Sequence, residues 1–310
     1  MLALPDKGIA VSVNEHNSKL DTCCDWIEGS ILFSSEELSS TDIIDFLIEE
    51  GMYKEQDFAS QMVDDAWAEM RRRQVLVGSE FPFSVEHRRI KRLRLWQDVP
   101  AHSFCTLLSL ATVYDNWGAR FGSDYTVQGE LFELLTKESL EHQLPGWKIY
   151  HTGWCQQTSI KLPDIVDNVI NQLGELPGNI EAWANPNAND AGLDLLCYQP
   201  FADNRVGIPV YLMQCASGGD WKQKLRTPEL ELWTKVIQFA AEPKKAFATP
   251  FAFLDDAFRK TCSRVNGMLL DRYRLLTAYR YDENWVSAPL SARIIAWAEP
   301  RVSELPRGDA

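Results

Sequence analysis

Two strand-length apolar runs in this chain each carry one polar side chain in the middle. The first, GLDLLCYQPF (Gly192 to Phe201), is interrupted by Asp194. The second, VYLMQCASGGDWKQKL (Val210 to Leu225), is interrupted by Gln214. The segment between them includes ADNRVGIP, rich in hairpin-forming residues, so the pair predicts neighbouring antiparallel strands. Side chains alternate across a strand. On that rule Leu193, Leu195 and Cys197 share one face, leaving Asp194 with Leu196 on the other, and Val210, Leu212, Gln214 and Ala216 share a face. The hairpin therefore sets Asp194 beside Gln214 at the end marked by Gly218-Gly219. A carboxylate in a buried strand is costly unless it is paired, hydrogen-bonded or metal-bound. Mg²⁺ suits such a place, because it takes one or two carboxylates and keeps waters and phosphate oxygens as its other ligands. The Gln214 amide adds an oxygen without adding charge.

Lysines follow at once. With Asp220 as cap, a helix starting at Trp221 puts Trp221, Lys224 and Leu225 on one side, so Lys224 leans towards the sheet and Lys222 turns away by about 100° per residue. An inward lysine beside a metal-bound carboxylate can orient a water and stabilise charge on a phosphate. Upstream, TVQGELFELLTKESLEHQLPGW is an amphipathic helix, WKIYHTGW a strand, and SIKLPDIVDNVINQLGEL a further helix. Downstream, ELELWTKVIQFAAE reads as a helix, KKAFATPFAF as a strand, and DDAFRKTCSRVNGMLLDRYRLLTAYR as a helix or helix pair. Helices alternating with strands predict an α/β (α+β) domain over 121–310, a mixed sheet flanked by helices.

An Asp on one strand, an acid or amide on the next and a nearby base resemble the PD-(D/E)XK nuclease superfamily, which shares the fold of restriction endonucleases. GELFE (Gly129 to Glu133) matches the G-x-x-F-E of its first core helix. The core order helix–strand–strand–strand–helix–strand fits from residue 124 to about 254 if the 160–175 helix is an insertion. The resemblance implies a restriction-endonuclease-like fold with Glu133, Asp194, Gln214 and Lys224 as the catalytic set. Asp194, Glu133 and Gln214 would hold Mg²⁺ or Mn²⁺. Gln214 stands at the second acidic position, and the strand lysine is replaced by Ala216, with Lys224 as its migrated counterpart. It further implies hydrolysis of DNA phosphodiester bonds by an effector of bacterial defence.

Residues 1–120 predict a mainly helical module. Residues 1–30 show no clear periodicity. SSTDIIDFLIEEGMY and DFASQMVDDAWAEMRRRQ read as helices, and VLVGSEFPFSVEHRRIKRL as strands about a Gly-Ser turn, a winged-helix-like pattern. Charge is segregated there. Glu36 to Glu69 holds eleven acids against Lys54, and Arg71 to Arg94 holds eight bases against Glu80 and Glu86. Arg88, Arg89, Lys91, Arg92 and Arg94 are thus the candidate nucleic-acid contacts, weighed against a merely solvated charged surface.

A net charge of −13 opposes unaided binding to phosphate-rich polymers. A protein partner (ATPase, helicase or sensor) or a homo-oligomer is expected besides DNA. Seven cysteines without metal spacing and five scattered histidines point to a reducing cytoplasm and away from a disulfide or zinc framework. No apolar run reaches the ~18 residues of a membrane helix, and the N-terminus shows no export pattern. The eleven tryptophans, among them Trp67, Trp147 and Trp221, are expected mainly in cores. Cys105 and Cys215 invite a cysteine-hydrolase reading, but both fall at apolar positions. The alternative function is an inactive nuclease-fold adaptor that binds DNA or a partner.

Overall fold

The computed structural model describes residues 1–7, 9, 19–121, 125–152, 161–184 and 191–308. It opens with α1 (Leu20–Phe33), β1 (Glu37–Ser39), α2 (Ser40–Glu49), α3 (Gln56–Val77), β2 (Phe83–Val85) and β3 (Arg89–Arg92). The three strands form an antiparallel sheet in the order β1–β3–β2. Helix α2 starts at a reciprocal cap, in which the Ser39 hydroxyl accepts from the Asp42 amide at 3.1 Å and the Asp42 carboxylate accepts from the Ser39 amide at 2.8 Å. Such a cap satisfies two amides that a helix start leaves open.

Three expectations for this region are corrected. Helix α1 occupies residues assigned no structure, because every residue from Cys23 to Phe33 is buried. A helix covered on all sides has no polar face to reveal its period. Helix α3 runs through Val75 and Val77 and stops at Gly78, whose φ of +77° suits glycine. The hairpin then turns at Glu86–Arg89, where the Glu86 amide donates to the Arg89 carbonyl at 2.8 Å, rather than at Gly78-Ser79.

The chain continues through α4 (Pro100–Leu110), α5 (Asp115–Phe121), α6 (Tyr125–Gln143), β4 (Lys148–His151), α7 (Leu162–Leu173), β5 (Leu176–Pro177), α8 (Ile180–Trp183), β6 (Leu195–Tyr198) and β7 (Val210–Cys215). A 3₁₀ helix (Trp221–Arg226), α9 (Leu230–Val236), β8 (Ile237–Gln238), β9 (Lys244–Ala248), α10 (Asp255–Val265), β10 (Gly267–Leu270), α11 (Arg272–Leu276) and α12 (Ala288–Ser303) complete it. The central sheet is mixed, in the order β10–β9–β7–β6–β4. Strands β4, β6 and β7 pair antiparallel, whereas β7, β9 and β10 pair parallel. Strand β10, GMLL, lies inside what reads as a helix or helix pair. A four-residue apolar run between two helices carries no alternation to mark it.

Leu195, Cys197, Met213 and Cys215 face the large core formed with α1, α4, α6 and α12. Leu196, Leu212 and Val210 face a second core with α7 and α9. Leu193 joins that second core and not the Leu195 face, because the chain enters β6 through Gly192 at φ +74° and alternation starts only at Leu195. The large core draws on residues from Leu2 to Leu305, so both sides of position 120 share it.

A buried ionic cluster joins the same parts. Arg73 of α3 reaches Asp25 (2.8 Å), Glu28 (3.0 Å) and Glu69 (3.0 Å). Arg272 of α11 reaches Asp25 (2.9 Å) and Glu28 (3.3 Å), and His102 and Tyr273 also meet Glu28. Burial pushes the Glu28 carboxyl up, but Arg73, His102 and Arg272 outweigh it and hold it well below the usual range.

Candidate active site at the end of the β6–β7 hairpin

The register pairs Leu195 with Met213, so Asp194 falls opposite Gln214, as the hairpin pattern predicts. Asp194 lies one residue before β6, but its backbone stays in the ladder: its amide donates to the Met213 carbonyl (2.9 Å) and its carbonyl accepts from the Thr152 amide (3.1 Å). The carboxylate is buried. Its Oδ2 accepts from Gln214 Nε2 at 2.5 Å and from the Cys215 amide at 2.6 Å. Gln214 Nε2 also lies 3.2 Å from the Cys215 carbonyl, and Gln214 Oε1 accepts from the Thr227 hydroxyl at 3.0 Å. The amide orientation follows from charge, since its reverse would set an oxygen against the Asp194 carboxylate.

One carboxylate oxygen and one backbone carbonyl thus converge on the amide nitrogen of Gln214. Gly192 makes room for this arrangement. A Cβ there would stand 2.9 Å from Gln214 Oε1 and 2.7 Å from Thr227 Cβ, which explains glycine at the mouth of the strand.

Glu133 projects from α6 on the Cys215 side of the sheet. Its Oε2 lies 2.6 Å from His151 Nε2 at the end of β4. Both side chains are largely covered, at 16% and 20% exposure. Burial pushes the His151 pKa below its ordinary value, although the charges of Asp194 and Glu130 pull it back upward. A neutral imidazole donates from Nε2 to the Glu133 carboxylate. His151 therefore links two of the expected site residues, touching Glu133 and lying within the electrostatic reach of Asp194.

Lys224 sits in the 3₁₀ helix and is half-buried, whereas Lys222 is exposed. The helix is 3₁₀ and not α, so residues three apart eclipse and Trp221, Lys224 and Thr227 follow one line. Thr227 is bonded to Gln214 through its hydroxyl and to the Lys224 carbonyl at 2.7 Å. Lys224 therefore lies one turn before the residue that holds the amide. Among the described residues its ammonium has no ion pair. Sequence reasoning missed His151, Thr227 and Lys245. The buried Lys245, on β9, spends its ammonium on the Leu225 carbonyl (3.0 Å) and so pins the 3₁₀ helix to the sheet. A lysine inside an apolar strand was the available signal.

The basic hairpin is largely neutralised. Arg89 pairs with Glu37 (2.8 Å), Arg92 with Glu36 (3.6 Å) and the carbonyls ending α1, and Arg94 with Glu80 (2.9 Å). Arg88 and Lys91 remain exposed. The two thiols fit core packing: burial pushes Cys105 up to about 12 and Cys215 well above the ordinary thiol range. Among the described residues, no three His, Cys, Asp or Glu side chains gather as a metal-holding group. The donors that do converge are a carboxylate, an amide and a carbonyl. Comparison with protein-family models, curated proteins and solved structures returned no match.

Proposed function

We propose that this chain is a divalent-metal-dependent nuclease of restriction-endonuclease-like fold, acting on DNA phosphodiester bonds. The observation that carries the reading is the convergence of Asp194 Oδ2 and the Cys215 carbonyl on one amide nitrogen, at 2.5 and 3.2 Å. Two oxygens share a single electropositive neighbour there, which is the kind of place a cation takes. The element order supports it. Helix α6, the antiparallel β4, β6 and β7, the helices before β9, and the parallel β9 follow the core order of that superfamily, with residues 161–184 inserted.

The donors fit Mg²⁺ or Mn²⁺, hard cations that take oxygen ligands. Asp194 and the Cys215 carbonyl would hold the ion, and Glu133, which meets His151 on the Cys215 side of the sheet, would be the further ligand. Gln214 would join by turning its amide half a revolution. Its Nε2 would then donate to the Thr227 oxygen, and the one Thr227 hydroxyl proton, which lies within reach of both Gln214 Oε1 and the Lys224 carbonyl, would go to the Lys224 carbonyl. When bound, such an ion lowers the pKa of a water and offsets charge on a phosphate. Lys224 supplies the nearby positive charge for the phosphate, and Glu133 fixes the His151 ring.

With a net charge of −13 and a neutralised hairpin, the chain needs a basic partner or self-assembly to hold DNA. We place it in the cytoplasm, as a defence effector working with such a partner. The test is cleavage of plasmid and linear DNA with Mg²⁺ or Mn²⁺, beside Asp194→Ala and Lys224→Ala. Metal-dependent cleavage lost in both variants is the expected result. Cleavage that survives Asp194→Ala would overturn the assignment.

One observation favours a second reading, an inactive adaptor of the same fold. Asp194 is already satisfied by two N–H donors, so the pair is stable without a cation. An adaptor binds its partner without metal and independently of Asp194.

A further inference from the structure

A cavity of about 370 Å³ lies at the start of the 3₁₀ helix, where the first turns of α1 and the end of α4 face Trp221 and the segment leaving β9. Its volume falls in the range of small-molecule sites, roughly 300–1,000 Å³. One wall is aromatic. Trp221 lies 5.3 Å from Phe253 and 5.9 Å from Phe251, ring centre to ring centre. Trp221 is thus not a simple core residue, since it closes the cavity as well as packing against the sheet.

The opposite requirement, a positive field, is met by Lys7, Lys19 and Lys222. Lys7 pairs with Asp115, whereas Lys19 and Lys222 make no ion pair among the described residues. Lys222 Nζ stands over the Trp221 ring, 5.6 Å from its centre, so one short step along the chain carries both a flat surface and a cation that a ligand's phosphate would draw off the ring. Asp25 lines the floor, but its carboxylate is consumed by Arg73, Arg272 and the Ser109 hydroxyl. Its charge is offset from behind and does not cancel the lysines. Asp21 is the other acid on the wall; burial raises its pKa, with Asp25 adding to the rise. The Ser109 and Thr112 hydroxyls also line the cavity; their protons are given to Asp25 and to the Ser109 carbonyl, so towards a ligand they act as acceptors.

We propose that this cavity binds a nucleoside phosphate, its base against Trp221 and its phosphate at Lys222 and Lys19. A flat ring beside two lysines suits that ligand class, because stacking accepts any base and a lysine acts as a point charge for phosphate. The ligand is either a free nucleotide or the phosphorylated end of a single strand.

Isothermal titration in EDTA tests this without reference to cleavage. The probes are dAMP, dTMP and a 5′-phosphorylated pentanucleotide, titrated into wild type, Trp221→Leu, Trp221→Phe, Lys222→Glu and Asp194→Ala. Stacking of 1–3 kcal/mol per base corresponds to roughly 5- to 150-fold in affinity. Trp221→Leu is expected to weaken binding within that span and Trp221→Phe to restore most of it. Lys222→Glu, on an exposed side chain that folding does not need, is expected to weaken binding about tenfold and to flatten its salt dependence. Asp194→Ala is expected to bind as wild type, which separates this cavity from the hairpin site. Saturable binding of the mononucleotides identifies a free ligand, and binding of the pentanucleotide alone identifies a strand end. No saturable heat with any probe at about 1 mM, or binding that survives both Trp221→Leu and Lys222→Glu, overturns the proposal.

Discussion

Replacing Arg272 by methionine removes the C-terminal half of the buried ionic cluster while preserving most of the side-chain volume. The guanidinium donates to Asp25 at 3.0 and 2.9 Å, to Glu28 at 3.3 Å and to the Pro250 carbonyl at 3.0 Å. Without it, Asp25, Glu28 and Glu69 share Arg73 and the partly exposed Arg72. Breaking a buried ion pair from one side costs about 3–5 kcal/mol, because a charge stays behind in a poorly solvating place. Against a typical total of about 5–15 kcal/mol, that is a large share. Urea unfolding followed by circular dichroism is expected to show a midpoint lowered by that free energy divided by the slope, with the slope itself unchanged. A single transition is expected, because the cluster and the core span both sides of position 120. The sign with pH is also fixed. Loss of Arg272 lets the folded-state pKa of Glu28 rise towards its unfolded value, so the penalty is greatest at neutral pH and shrinks as pH falls. Arg272→Met with Glu28→Gln should recover part of the loss. A penalty under about 1 kcal/mol, or two separate transitions, would refute this reasoning.

Two further outcomes are expected. Burial pushes the Glu80 carboxyl from 4.5 to about 7, despite Arg94 at 2.9 Å, with Glu283 adding to the rise. The folded state therefore holds more protons than the unfolded state between those values, and stability falls as pH rises through that window. The full shift corresponds to at most about 3.4 kcal/mol, reduced to about 1–2 by solvent screening. Melting temperatures from pH 5 to 8 should fall in wild type, and Glu80→Gln should flatten the trend. Gly192→Ala meets both a positive φ and contacts under 3 Å with Thr227 and Gln214. It should cost about 2–4 kcal/mol and abolish metal-dependent cleavage together with the Asp194–Gln214 bond; full activity in a stable variant would contradict the close fit.

Where the sequence was legible, it was legible for physical reasons. Asp194 and Gln214 met because strand alternation and hairpin register are set by a period of two, which leaves little freedom. Helix α6 was legible as an element but not in its faces, since Val127 is exposed and Gln128 is buried against Ser217. Helix α1 was hidden because it is buried all round, and β10 because four apolar residues between helices carry no period. Leu193 departed from its expected face because Gly192 turns the chain just before the strand begins. His151 reached Glu133 through the packing of β4 against α6, a contact between elements that spacing along the chain does not encode. The basic hairpin looked like a nucleic-acid surface because its partners, Glu36, Glu37 and Glu80, are brought to it only by the fold.

The central claim is a cation site built on Asp194, and the most direct measurement is calorimetric titration of Mn²⁺ into wild type and Asp194→Ala. It needs neither DNA nor a partner, so a silent cleavage assay does not bear on it. The account expects saturable binding at one site per chain, lost in an Asp194→Ala variant that keeps the wild-type circular dichroism spectrum, its melting temperature lowered by the two buried N–H groups left without an acceptor. Wild-type protein that takes up no Mn²⁺, or a variant that binds as well as wild type, would contradict the nuclease reading and leave the adaptor.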